Sequence, residues 1–132
     1  MIDDSTLVVL GILLVHWIGD FVLQTHWMAT NKSKSLNALL SHVAVYYVTL
    51  VIGTSLLFWY VFGADGNLWA MLTIWWMANG ILHFAVDHVT SRINGWLWNK
   101  GDYHNFFVSV GFDQFVHYAC LFATASWMLE II

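Results

Sequence analysis

Four long apolar runs dominate the sequence and decide what it can become. They extend from Leu7 to Leu23, Leu39 to Phe62, Leu68 to Val89 and Phe106 to Met128. A helix needs about 20 predominantly apolar residues to cross a bilayer core. The second run holds no Asp, Glu, Lys or Arg, while the first is shorter and carries Asp20 near its end. Of 132 residues, 60% are hydrophobic and only 9% charged, far from the roughly 25% charged content of soluble domains. A chain this short cannot hide so much apolar surface in one water-soluble core. The expected fold is all-α: an integral membrane four-helix bundle, a single transmembrane domain over residues 1–132, with the lipid bilayer as its surroundings.

Composition also excludes some roles. Four basic residues in the whole chain are too few for a nucleic-acid footprint, so no nucleic-acid partner is expected. Cys120 is alone and cannot form an internal disulfide. Met1-Ile2-Asp3-Asp4 is acidic where a signal peptide is basic, and no small-residue cleavage site follows, so the first run is expected to stay as a helix.

Positive residues favour cytoplasmic loops. Lys32 and Lys34 lie between the first two runs, Arg92 and Lys100 between the last two. An even number of spans puts both loops on one side. Asp3, Asp4, Asp65 and Glu130 then fall on the other, giving an N-out, C-out topology. Trp59, Tyr60, Trp69 and Trp127 form one interfacial belt, and Trp27, Trp96, Trp98 and Tyr103 the other. Trp17, Trp75 and Trp76 fit neither and are read as packing or lipid-facing residues. The localisation expected is a bacterial inner (plasma) membrane, multi-pass.

Each span carries one polar stripe at four-residue spacing, which keeps side chains on one helix face. The first has His16, Asp20 and Gln24; the third has Asn79, His83 and Asp87; the fourth has Ser109, Asp113 and His117; the second has His42 and Tyr46. The His–Asp order reverses in the fourth span, which runs the opposite way. At about 1.5 Å rise per residue, the three carboxylates lie near the cytoplasmic end with the imidazoles about one turn deeper. Seven residues (His16, Asp20, His42, His83, Asp87, Asp113 and His117) thus converge in one layer.

An ionised Asp at a helix centre costs about 2.5–3.5 kcal/mol on insertion scales, and no Lys or Arg lies within a span to offset it. Protonation, hydrogen bonds to the histidines, or a bound cation would. Imidazole with carboxylate suits Zn²⁺, Fe²⁺ or Mn²⁺ better than Ca²⁺ or Mg²⁺. Zn²⁺ is the first expectation, as one or two ions, because seven candidates exceed what one tetrahedral ion uses. Some aspartates would otherwise orient metal-bound histidines. A comparable architecture occurs in soluble four-helix bundles with dinuclear carboxylate sites.

Gln24, Asn79 and Gln114 are candidate outer hydrogen-bond partners of the cluster. Lys32 and Lys34 are candidate substrate-binding cations, although positive-inside topology already accounts for them. His26, His88 and His104 are read as interfacial or solvated. Small residues such as Gly11, Gly19, Ala78, Gly80, Ala119 and Ala123 would allow close helix approach.

The stretch His16-Trp17-Ile18-Gly19-Asp20-Phe21-Val22 repeats as His83-Phe84-Ala85-Val86-Asp87-His88-Val89, which points to a duplicated two-helix unit in parallel repeat. The pattern His16-x3-Asp20-Phe21-x-Leu23-Gln24, a loop lysine, a lone His42, then His83-x3-Asp87 and Asp113-Gln114-x2-His117 resembles domain of unknown function 3307. These are small membrane proteins of bacteria and phages. The resemblance covers nearly the whole chain and implies a bacterial or viral membrane protein without supplying an activity. A looser likeness is to small membrane proteins described as metal-dependent hydrolases. No His-Glu-x-x-His is present, which argues against the usual membrane zinc protease.

Three functions remain open. The first is a metal-dependent hydrolase at the cytoplasmic interface, acting on a lipid-linked or amphipathic substrate, with one of Asp20, Asp87 or Asp113 as general base. The second is a divalent-cation or proton transporter. The third is a small regulatory membrane protein with a structural metal site. Nothing in the sequence counts the copies in an assembly.

Overall fold

The computed structural model describes residues 3–131, with side chains as far as Trp127. Met1 and Ile2 of the acidic terminus, and the Glu130 side chain, lie outside that range. The chain forms helices only among the described residues. α1 is Asp4–Trp17, continued by a π-helical turn over Ile18–Val22; α2 is His26–Asn31; α3 is Leu36–Phe62; α4 is Gly66–Asn99; α5 is Tyr103–Ile131. Four are long and apolar enough to cross a membrane.

Local sequence sets the boundaries. The first-turn amides of four helices are capped by short oxygen-bearing side chains, which satisfy donors the helix itself leaves free. Asp3 accepts from Thr6 N in α1, Thr25 from Met28 N in α2, and Ser35 from Ala38 N in α3. Asp65 accepts from both Asn67 N and Leu68 N in α4. Gly63 and Gly101 follow the ends of α3 and α4 with φ of 74° and 76°, a backbone region that favours glycine.

The apolar runs understate two helices. α4 does not stop at Val89 but continues through Asn99, so the segment from Thr90 to Asn105 is mostly helix and the connection to α5 is short. The stretch from Gln24 to Ala38 contains α2, whose Met28 is buried. Beyond Val89 the α4 helix turns Ser91 and Leu97 inward and Arg92, Ile93, Trp96 and Trp98 outward. An amphipathic segment of this kind leaves the apolar layer without ceasing to be a helix.

Packing runs α1 to α3 to α4 to α5, while α1 and α5 do not pack closely against each other. The half of the bundle remote from the basic loops is closed by Ile12, Leu50, Phe58, Leu68, Leu72 and Leu121. Trp75 and Trp76 join that core, donating their indole N–H to Leu121 O at 3.2 Å and Thr54 Oγ1 at 2.8 Å; Trp17 points outward. A girdle of exposed Leu, Ile, Val and Phe surrounds the bundle, as expected where lipid is the solvent.

The internal repeat extends beyond its motif. The offset that carries His16 onto His83 and Asp20 onto Asp87 also carries Leu36, where α3 begins, onto Tyr103, where α5 begins. The same offset sets His42 opposite Ser109 and Tyr46 opposite Asp113.

Candidate metal centre

All seven His and Asp residues of the polar layer are buried. α1 and its π turn supply His16 and Asp20, α3 supplies His42, α4 supplies His83 and Asp87, and α5 supplies Asp113 and His117. The π turn carries Asp20 itself, and such one-turn bulges often mark functional positions because they re-aim the side chains that follow.

Four of the seven form a tight set. His42 Nε2 lies 3.1 Å from Asp20 Oδ1 and 2.9 Å from Asp87 Oδ2. His83 Nε2 lies 3.2 Å from His42 Nε2, 3.7 Å from Asp20 Oδ1 and 3.8 Å from Asp87 Oδ2. Ligands about 2.0–2.1 Å from a tetrahedral ion stand about 3.3 Å from one another. The five separations scatter around that edge length. The His42–His83 contact fits either an N–H···N hydrogen bond between unlike tautomers or two lone pairs turned on one cation.

A second group, Asp20, Asp113 and His117, places three ligand atoms within 4.8 Å of one another. His117 Nδ1 donates to Asp113 O at 2.9 Å, so in the neutral ring Nε2 carries the lone pair. That atom is buried without a hydrogen-bond partner, 3.9 Å from Asp87 Oδ1. Asp113 is held from both sides: Oδ1 accepts from Thr90 Oγ1 at 2.5 Å and Oδ2 from Gln114 Nε2 at 3.1 Å. Asp20 belongs to both groups.

His16 stands apart from its repeat partner His83. Its Nε2 lies 3.0 Å from Gln114 Oε1, an acceptor, so the ring donates there and its Nδ1 accepts from Tyr46 Oη at 3.1 Å. Gln114 cannot turn round, because its Nε2 donates to Asp20 Oδ2 at 2.8 Å as well as to Asp113. Both nitrogens of His16 are therefore spent on orienting neighbours. Tyr46 also stacks on His83, with ring centroids 3.6 Å apart and planes within 5°. His42 and His83 both leave Nδ1 without a partner; for His83 that stacking replaces the outer hydrogen bond that usually orients a metal-bound imidazole.

The other candidates divide. Gln114 bridges α5 to Asp20 and His16. Asn79 instead donates to Trp75 O and to Thr124 Oγ1, both at 2.9 Å, and so ties α4 to α5 a turn below the cluster. Gln24 lines a cavity of about 580 Å³ above it. Lys32 reaches in from the end of α2: Nζ is 2.8 Å from Asp87 Oδ2 and 3.3 Å from His42 Nε2. Lys34 lines the cavity wall. Of the three carboxylates only Asp20 and Asp113 face this cavity; Asp87 is enclosed beside Lys32. Ser109 makes no side-chain hydrogen bond with the cluster among the described residues.

Tyr46, Thr90 and Lys32 carry more of the site than the stripe pattern assigned to them. Thr90 had a signal, being three residues past Asp87 on the same α4 face. In the sequence Lys32 reads only as a candidate substrate-binding loop cation; its contact with Asp87 and His42 depends on how α2 folds back over the bundle.

No curated protein and no solved structure shows significant similarity to the chain. A family profile described as "Protein of unknown function (DUF3307)" matches residues 8–131, nearly the whole length, and spans every residue of the cluster. The chain belongs to that family.

Proposed function

We propose that the protein is a membrane-embedded, metal-dependent hydrolase with two divalent ions at its cytoplasmic interface, Zn²⁺ the first choice and Fe²⁺ or Mn²⁺ the others. The observation that carries it is the pair of ligand groups sharing Asp20: one closed, one open. Asp20, His42, His83 and Asp87 offer four protein ligands, the complement of a filled tetrahedral site. Asp20, Asp113 and His117 offer three, and two of these line the cavity floor. Three protein ligands with a fourth position left for water is the pattern of catalytic zinc. An ion held there would bring the pKa of a bound water toward about 7 and polarise a carbonyl or phosphoryl oxygen.

Charge admits two ions if an anion joins them. Three carboxylates are offset in part by Lys32, and two divalent ions with one hydroxide leave a single positive charge in excess for an anionic substrate. Lys32 and Lys34 stand on the cavity wall where such a substrate would lie. Both basic loops lie at the same end of the bundle, which supports the N-out, C-out orientation and a bacterial inner-membrane location with the cavity facing the cytoplasm.

A second reading has its own support. The four-ligand set is closed, and with Lys32 present one divalent ion makes the cluster neutral. A single ion would then only hold the helices of a regulatory membrane protein. Transport finds less support, because the opposite half of the bundle is filled by an apolar core that offers no polar route onward among the described residues.

The test is hydrolysis of p-nitrophenyl acyl esters and phosphodiesters by the purified, zinc-loaded protein in detergent. The expected result is turnover that EDTA abolishes and zinc restores, falling at least about a hundredfold in Asp113→Asn. Wild-type rates in a folded Asp113→Asn protein, or the absence of any metal-dependent turnover, would count against catalysis.

A further inference from the structure

The cavity above the cluster is a slot between helices that fail to close. Because α1 and α5 do not pack closely, their seam is spanned at the depth of the site by side chains alone, through the His16–Gln114–Asp20 bonds. Toward the basic loops the seam widens into the cavity of about 580 Å³, with Phe21 on the α1 side and Phe107 and Val110 on the α5 side. Phe21 and Phe107 are 42% and 67% exposed, so the rim they form faces lipid.

The lining also holds unsatisfied polar atoms. Ser91 Oγ, Asn94 Oδ1 and Gln24 Oε1 are buried atoms without hydrogen-bond partners, and all three residues line the cavity. Ser91 itself is only 6% exposed. Buried polar atoms left unpaired are costly; the Ser91 hydroxyl can donate to a bound phosphate oxygen, while the two amide oxygens accept only and would take a headgroup O–H. Lys34 adds a positive charge to the excess already left at the two-ion cluster. One mouth thus joins an apolar rim at headgroup depth to a polar interior that carries the Lys32 and Lys34 ammonium groups.

Resting on the two-ion reading of the site, we infer that this cavity takes the phosphate headgroup of a membrane amphiphile, which enters sideways through the α1–α5 seam and leaves its chains in the bilayer beside Phe21 and Phe107. A cavity of this volume lies within the usual range for small-molecule sites, enough for a headgroup and the first carbons of its chains. Charge-assisted hydrogen bonds to phosphate are the strong ones, which favours phosphate over an uncharged ester.

Native mass spectrometry of the full-length, zinc-loaded protein in detergent tests this, with the metal content of every sample measured alongside. The probes are dioleoyl phosphatidic acid, dioleoylglycerol and inorganic phosphate. The expected result is retention of phosphatidic acid at least about tenfold above dioleoylglycerol, with no displacement by millimolar inorganic phosphate. Val110→Trp, which wedges the seam, and Lys34→Ala, an exposed position outside the core, should each cut retention severalfold while zinc content stays at the wild-type level. Equal retention of both lipids, or phosphatidic acid binding unchanged in both variants, overturns lateral phosphate entry and leaves the metal site standing. Inorganic phosphate binding as well as the lipid would show entry from water and overturns it too. Absence of zinc from the wild type removes the two-ion reading and this inference together.

Discussion

His16 and His83 head the same motif, yet the folded chain uses them differently. His83 turns Nε2 into the ligand set, whereas His16 spends both nitrogens on Gln114 and Tyr46. Replacing His83 by Ala should therefore abolish binding at the closed position. His16→Phe should weaken affinity by about 10–100-fold and leave the ion in place, the usual cost of losing an outer partner; chelator competition measures both. Gln114→Leu releases Asp20 and Asp113 together, so it should weaken the open position more than the closed one. The stripe spacing was enough to gather these residues at one depth, because residues four apart share a helix face. It could not assign their roles, since those depend on which partner each ring nitrogen meets across helices. Lys32 was legible only as a loop cation; its contact with Asp87 and His42 depends on α2 lying over the cluster.

At the level of elements, the four spans were legible because apolar runs of bilayer length have few alternatives. Their ends were not. Hydropathy reports where a helix leaves the lipid, whereas α4 continues to Asn99 because its polar residues still have an inward face to occupy and no glycine in a turn interrupts them before Gly101. Close packing of α1 on α3 rests on Gly53, where a Cβ would lie 2.6 Å from Val15 Cγ2. Gly53→Ala should cost about 1–3 kcal/mol by overpacking, and Val15→Ala should relieve it; detergent-denaturation curves of the two single variants and the double variant check this. The start of α5 gives a pH prediction. Asp102 accepts hydrogen bonds from the side chain and backbone N–H of Asn105, which hold its carboxyl below the usual range. A depressed folded value means that the capping contribution is fully present above the unfolded value of about 4 and fades as pH falls through the folded one. Amide protection factors in the first turn of α5 should decline over that acidic window, and Asp102→Ala should abolish the decline.

For the whole molecule, the repeat, the topology and the site are one arrangement. The repeated His-x3-Asp motif enters the same layer from α1 and α4, and His42 lies within hydrogen-bond distance of both aspartates. The helices that follow the two motifs differ, with Tyr46 standing where α5 has Asp113. One side of the bundle consequently holds a closed ligand set, and the side toward α5 and the cavity an open one. The proposed N-out, C-out orientation is tested by labelling: a cysteine introduced at Lys34 should react with membrane-impermeant reagents from the cytoplasmic face only, and one at Asp65 from the opposite face. The most direct measurement of the central claim is elemental analysis of the detergent-purified protein beside His83→Ala and Asp113→Asn. Two occupied positions require about two equivalents of Zn, Fe or Mn per wild-type chain. Asp113→Asn, still folded, should then retain about one equivalent, because the closed set is intact. One equivalent in the wild type, unchanged by Asp113→Asn, would mean a structural ion and no open catalytic position. No metal in any sample after incubation with each ion would contradict the metal centre itself.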